Sequence, residues 1–208
     1  AYLKDLYIKT PQTLIKDELI ASYPSISSLS NDLGELYINA SINGSKLGFK
    51  DILLFVPTLA STEPFKSNPN AVMFINSKII GKISALSIPK LEISGIGNTR
   101  ISAHGKMVGL PDVDNAYFDL TIKNFQSSAN DVNKFVPAGT IPYTIQLPSN
   151  FSANGFFKGK IHNFKTNLAL KSSFGNARLK ALFDQRVKNR ERYQADAEIN
   201  DFNFGSLL

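Results

Sequence analysis

Apolar and polar residues alternate through most of this chain, and a period of two predicts strands. The alternation runs through Tyr2–Lys9, Leu36–Asn43 and Tyr117–Lys123, and through stretches near 71–84, 88–94, 99–108, 154–163, 166–172 and 176–184. In the first of two matching strands Leu36, Ile38, Ala40 and Ile42 share a face; in the second Phe118, Leu120 and Ile122 do. Three segments break the period. Thr10 and Pro11 read as the cap and first turn of a helix carrying Ile15, Leu19 and Tyr23 on one stripe. Phe49–Val56, ended by Pro57, reads as a helical turn. So does the segment that Ser127 or Ser128 caps, with Val132, Phe135 and Val136 as its apolar side and Pro137 as its stop. Gly97-Asn98 and Gly175-Asn176 read as hairpin turns.

The pattern recurs. Phe55-Val56-Pro57 returns as Phe135-Val136-Pro137 eighty positions later, with Tyr37, Ile42 and Asp51 matched by Tyr117, Ile122 and Asp131. Gly81-Lys82-Ile83 returns as Gly159-Lys160-Ile161; Gly97-Asn98, Arg100 and Ala103 return as Gly175-Asn176, Arg178 and Ala181. Tyr193 to Ile199 resembles Tyr117 to Ile122 with one extra residue and opens a third copy. The expected organisation is a strand plus capping helix over 1–34, a first repeat over 35–114, a second over 115–192 and the start of another over 193–208. All four belong to one continuous structural domain. The fold class expected is mostly β: an elongated, curved antiparallel sheet of repeats about eighty residues long, with short helices.

The strands are one-sided. Ala177, Leu179, Ala181 and Phe183 back onto Arg178 and Lys180; Tyr193, Ala195, Ala197 and Ile199 back onto Gln194, Asp196 and Glu198. Ile101, Ala103, Gly105 and Met107 alternate with Arg100, Ser102, His104 and Lys106. Two readings stay open. One is a β-sandwich, or a sheet covered by the two short helices. The other is a curved sheet whose apolar concave face is open to a lipid chain, on strands of six to eight residues spanning about 20–26 Å. On that second reading the lipid-contact candidates are Ile101, Ala103 and Met107; Phe118, Leu120 and Ile122; Leu168 and Leu170; Leu179, Ala181 and Phe183; and Ala195, Ala197 and Ile199.

Composition narrows the chemistry. With 43% apolar and 19% charged residues over 208 positions, the chain is ordered and long enough for one or two structural units. It has no Cys, which excludes disulfides, thiolate metal sites and cysteine nucleophiles. The net charge of +6 is scattered singly, apart from Arg186, Lys188, Arg190 and Arg192 around Glu191. That cluster reads as a solvated hairpin loop, with contact to an anionic headgroup or phosphate as the alternative. His104 and His162 are expected on polar strand faces. Gly95-Ile96-Gly97 lacks the third glycine and the following helix of a dinucleotide loop, and no nucleophile elbow or phosphate loop occurs. The positive charges form no dense stripe interleaved with aromatics, so nucleic acid is not an expected partner. No catalytic, cofactor or metal residue is expected, and the chain is read as not an enzyme. No apolar run of about 18 residues occurs, so no spanning helix is expected. Strand-like residues at both ends make it read as a piece of a longer repetitive protein.

Four stretches carry a family resemblance: Ile122-Lys123-Asn124-Phe125-Gln126-Ser127, Lys134-Phe135-Val136-Pro137, Phe157-Lys158-Gly159, and Leu170-Lys171-Ser172-Ser173-Phe174-Gly175-Asn176-Ala177. They resemble the TamB group of AsmA-like envelope proteins, in a Bacteroidetes-type dialect, over nearly the whole chain. The resemblance implies a protein anchored in the inner membrane and extending through the periplasm to the outer membrane, where it partners an Omp85-type barrel. It implies a taco-shaped β-groove lined by apolar residues and no catalytic residues. The functions it implies are phospholipid transport between the two membranes and the assembly or secretion of outer-membrane proteins. One expected mechanism is passive burial of acyl chains, each methylene contributing about 0.8 kcal/mol. The other is a chaperone module that templates client strands on its sheet edge. A plain structural β-repeat is the third reading.

Overall fold

The computed structural model describes residues 2–25, 32–55, 57–61, 63–135, 146–187, 189–201, 203 and 205. Among these residues, eleven strands lie in the sheet in the order in which the chain makes them, each antiparallel to the last. They are β1 (Tyr2–Lys9), β2 (Leu14–Ser22), β3 (Tyr37–Gly48), β4 (Val72–Lys82), β5 (Ala85–Ile96), β6 (Thr99–Val108), β7 (Tyr117–Ser127), β8 (Phe151–Lys160), β9 (Asn163–Ser172), β10 (Gly175–Asp184) and β11 (Arg192–Asn200). Helix α1 (Phe49–Phe55) follows β3 and helix α2 (Ala129–Phe135) follows β7. Among the described residues, the extensive strand-to-strand contacts are all between sequence neighbours. Among the described residues the sheet therefore neither closes on itself nor packs on a second one. It is elongated and curved, as the alternation predicts. Ten steps of roughly 4.8 Å make it roughly 50 Å across its strands.

Tight hairpins enforce the meander. Two-residue turns join β4 to β5 at Ile83-Ser84, β5 to β6 at Gly97-Asn98, β8 to β9 at Ile161-His162 and β9 to β10 at Ser173-Phe174. Gly97 adopts φ +58°, a conformation that costs other residues more. The second glycine turn lies elsewhere than expected: Gly175 and Asn176 are the first residues of β10. There the Ser172 hydroxyl accepts from the Phe174 N–H at 3.2 Å and donates to the Gly175 carbonyl at 3.0 Å, closing the turn.

The strands are eight to twelve residues long, longer than the six to eight expected. In β3 and β7 the reason is a bulge. β3 shifts register between Ile42 and Ser45, and β7 shifts between Ile122 and Phe125. The alternation loses phase there without the strand ending.

The expected capping helix after Thr10 is instead strand β2. Thr10 Oγ1 does accept backbone N–H groups, from Gln12 at 3.2 Å and Thr13 at 2.8 Å, but these close a turn. Ile15 and Leu19, four apart, fit both periods; pairing decides. Leu19 lies opposite Leu3 and Ala40, and Ala21 opposite Ile38. The described residues up to Glu35 thus hold a hairpin and a short 3-10 turn at Leu33–Glu35.

Each helix is tied to a hairpin turn by one aspartate. Asp51 of α1 accepts from Thr10 Oγ1 at 2.6 Å and from Thr13 Oγ1 at 2.5 Å, while Thr13 Oγ1 accepts from the Gly48 N–H at 3.0 Å. Asp131 of α2 is buried; its Oδ2 accepts from the Asn98 N–H at 2.8 Å and from the Ser128 hydroxyl at 2.9 Å. Ser128 is the cap, its Oγ accepting the Asp131 N–H at 3.2 Å, whereas Ser127 bonds Thr99 Oγ1 at 2.8 Å. Phe55 and Phe135 end their helices at matching positions, and their side chains, with Val136 and Pro137, lie outside the described residues.

Among the described residues buried apolar side chains are few: Ala40, Phe49, Leu86, Ile88, Ile96 and Ala116. Phe49 packs against Phe65 with ring centroids 4.4 Å apart. Past Ala116, no described apolar side chain is buried.

Candidate functional site

Residues directly opposite one another on antiparallel strands project to the same side, so the pairing lays out the apolar face as rows. One row runs Leu91, Ala103, Ile122, Gly155, Leu168, Leu179, Ala197. On one side of it lies the row Gly105, Leu120, Phe157, Thr166, Ala181, Ala195; on the other, Ile101, Phe125, Ala153, Leu170, Ala177, Ile199. Met107 and Phe118 face each other at one end, as Phe183 and Tyr193 do. All of the lipid-contact candidates lie on this one face. Leu179 and Ile199 share it, as the unbroken period of two requires.

The middle rows are floored by small residues, Ala103, Gly105, Gly155, Ala181, Ala195 and Ala197. One flank is aromatic. Phe118 meets Phe157 edge-on at 6.4 Å, Phe157 meets Phe164 at 4.7 Å, Phe164 stacks on Phe183 at 5.0 Å, and Phe183 meets Tyr193 at 5.1 Å. This rung ties five strands together. The other flank is mainly aliphatic, with Phe125 and Phe151 at 5.8 Å as its own aromatic pair. Sequence reasoning missed Phe157 and Phe164 because it counted along strands. Reflection about the two-residue turn at Ile161-His162 would have placed Phe164 opposite Gly159 and Phe157 opposite Thr166.

Not one candidate side chain on this face is buried. Those from Ile101 to Leu170, with Ala181 and Phe183, are half-buried; Leu179, Ala195, Ala197 and Ile199 are exposed, Ile199 at 43%. The ring contacts on this face run laterally, from strand to neighbouring strand. Helix α1 contacts β3 and the following 3-10 turn. No family model, curated protein or solved structure matches the chain.

The opposite face is polar and carries ion pairs: Lys158–Asp119 at 2.8 Å, Arg178–Glu198 at 3.7 Å and Lys90–Glu92 at 3.2 Å. Arg186 grips Asp184 with Nε on Oδ1 at 2.8 Å and Nη2 on Oδ2 at 2.7 Å, which holds that carboxyl down to about 2. The Asp119 carboxylate raises the Lys158 ammonium above its ordinary value. Described members of the basic cluster, Arg186 and Arg190, lie in the loop joining β10 to β11, and Arg192 begins β11.

His104 lies on the polar face opposite Thr121, half-buried, its Nδ1 without a hydrogen-bond partner. His162 departs from expectation: it occupies the exposed β8–β9 turn, not a strand. The two imidazoles are on different elements. Among the described residues no three His, Asp or Glu side chains gather as a metal site, and no helix is long and apolar enough to cross a membrane.

Proposed function

We propose that this chain is a lipid-handling segment of a TamB-type protein of the bacterial envelope, its apolar sheet face carrying phospholipid acyl chains across the periplasm between inner and outer membranes. The observation that carries this reading is the combination of contiguity and exposure. Rows of apolar side chains run from β5 to β11, and none of the candidate residues among them is buried. An apolar patch of that kind costs free energy in water unless something apolar lies on it. An acyl chain of roughly 20 Å lies across about four strands at their usual spacing. Small residues leave room for it along the floor, and the aromatic rung makes one bank. Partnership with an Omp85-type barrel belongs to the same reading.

Ala181→Asp and Ala197→Asp test the lipid reading. A charge on the floor is intolerable beside acyl chains, yet tolerable where water reaches it. Photo-crosslinking to phospholipid should be lost in both variants while thermal melting stays near wild type. Undiminished crosslinking in a stable variant overturns the lipid reading, and collapse of folding in both would mean that the face is a sealed core.

A further inference from the structure

We infer that the polar face carries a binding site for a phosphate group attached to an apolar or aromatic moiety, in the hollow between the ends of β7 to β10. The site takes its cations from the polar face, although Phe164 of the aromatic rung also lines the hollow, and it stands whether or not the apolar face carries lipid. The hollow measures about 420 Å³ and is lined by Tyr117, Lys158, Lys160, Lys165, Leu182 and Arg186 among others.

Three features point to such a ligand. First, Lys158 and Lys165 lie directly opposite one another across β8 and β9, where like charges repel. Lys160 follows on the same side two residues later, and Arg186 stands at the end of β10. Secondly, the acids available do not neutralise these four cations. Asp119 pairs with Lys158 at 2.8 Å and Asp184 with Arg186 at 2.7 Å. Among the described residues no carboxylate forms an ion pair with Lys160 or Lys165; Asp112 feels Lys160 only as the weakest of its influences. A multivalent oxyanion held between the two lysines turns their repulsion into attraction, with Arg186 as a further donor. Thirdly, two large, exposed apolar side chains of this face line the same hollow, Leu182 at 45% exposure and Tyr117 at 40%. They give the ligand's apolar part a surface beside the cations that hold its phosphate.

The phosphate can arrive on a soluble ester or on a lipid headgroup. Phenyl phosphate and inorganic phosphate, titrated calorimetrically into the full chain, test the site itself. Phenyl phosphate should bind saturably and at least tenfold tighter than inorganic phosphate. Lys160→Ala and Lys165→Ala should each weaken it about tenfold, and Leu182→Ser should erase its advantage over inorganic phosphate. Lys171→Ala, on the same face but outside the hollow, should change nothing. Vesicles of phosphatidylglycerol and phosphatidylcholine separate the sources. Cosedimentation that phenyl phosphate displaces and Lys165→Ala abolishes assigns the phosphate to a lipid; phenyl phosphate binding without cosedimentation assigns it to a soluble ester. Absence of saturable binding to either probe overturns the inference, and so does a loss in Lys171→Ala equal to that in Lys165→Ala.

Discussion

Asp51 and Asp131 occupy equivalent places in two seven-residue helices, and both fasten the helix to the turn of a neighbouring hairpin. Their partners differ. Asp51 takes two side-chain hydroxyls, those of Thr10 and Thr13, and is itself half-buried. Asp131 is 1% exposed and takes a backbone N–H, that of Asn98, with the hydroxyl of its own cap. The turns differ accordingly. The β1–β2 turn is closed by Thr10 and carries the hydroxyls that Asp51 binds; the β5–β6 turn has Gly97 pressed against the carboxylate and offers only main chain. A helix-to-hairpin tether thus survives a complete exchange of donors. What the two regions share is an acceptor at a fixed place.

The tether of α2 is most vulnerable at Gly97. A Cβ there would stand 1.8 Å from Asp131 Oδ1, at a φ of +58°. Gly97→Ala should cost about 3–5 kcal/mol by denaturant unfolding, strain and lost tether together. Gly44 has nearly the same φ, +57°, but a Cβ there meets only Lys16 side-chain atoms at 3.6 Å or more. Gly44→Ala should cost about 1 kcal/mol, so similar losses at the two sites would show that the tether is idle. Next comes Asp131→Ala, which strands the Asn98 N–H and should cost about 2–3 kcal/mol. Thr13→Val removes one donor to Asp51 and the acceptor of the Gly48 N–H. It should cost about 1–2 kcal/mol, and a neutral result would mean that α1 is held by packing alone. The smallest effect is one of pH. The hydroxyls of Thr10 and Thr13 lower the Asp51 carboxyl below its ordinary 3.8. A depressed carboxyl stabilises the fold above the unfolded value and loses that contribution as pH falls from there through the folded one. Melting temperature should therefore drop below about pH 4, and the drop should shrink in Asp51→Asn. Asp184, held to about 2 by Arg186, adds a fall common to both proteins.

Much of this was legible in the alternation of residues, and the misses share a cause. Face assignments held wherever a strand has one polar side and one apolar side, because a slip of one residue would expose Leu168, Leu170 and Leu179 to the polar side together. Lengths failed at Asn43 and Lys123, where a bulge changes phase and looks, in sequence, like a strand's end. β2 failed because Thr10-Pro11 and the spacing of Ile15 and Leu19 suit a helix locally, whereas pairing partners on β1 and β3 are invisible to a local reading. Asp51 and Asp131 were seen as a matched pair, but their tether depends on hairpin turns more than thirty residues away in sequence. The aromatic rung was hidden for the same reason: its members come from five strands and are adjacent only once the turns are placed.

Because every strand leans on its sequence neighbours alone, the molecule has nearly one-dimensional cooperativity. Closing a two-residue turn is a small entropic step, so each hairpin can form before the rest of the chain is ordered, and folding should be quick for so much β structure. Opening should run the other way, as a zipper from the outer strands inward. Amide hydrogen exchange would then be graded by position, fastest in β1 and β11 and slowest around β5 to β7, with no single global event setting the rate for all.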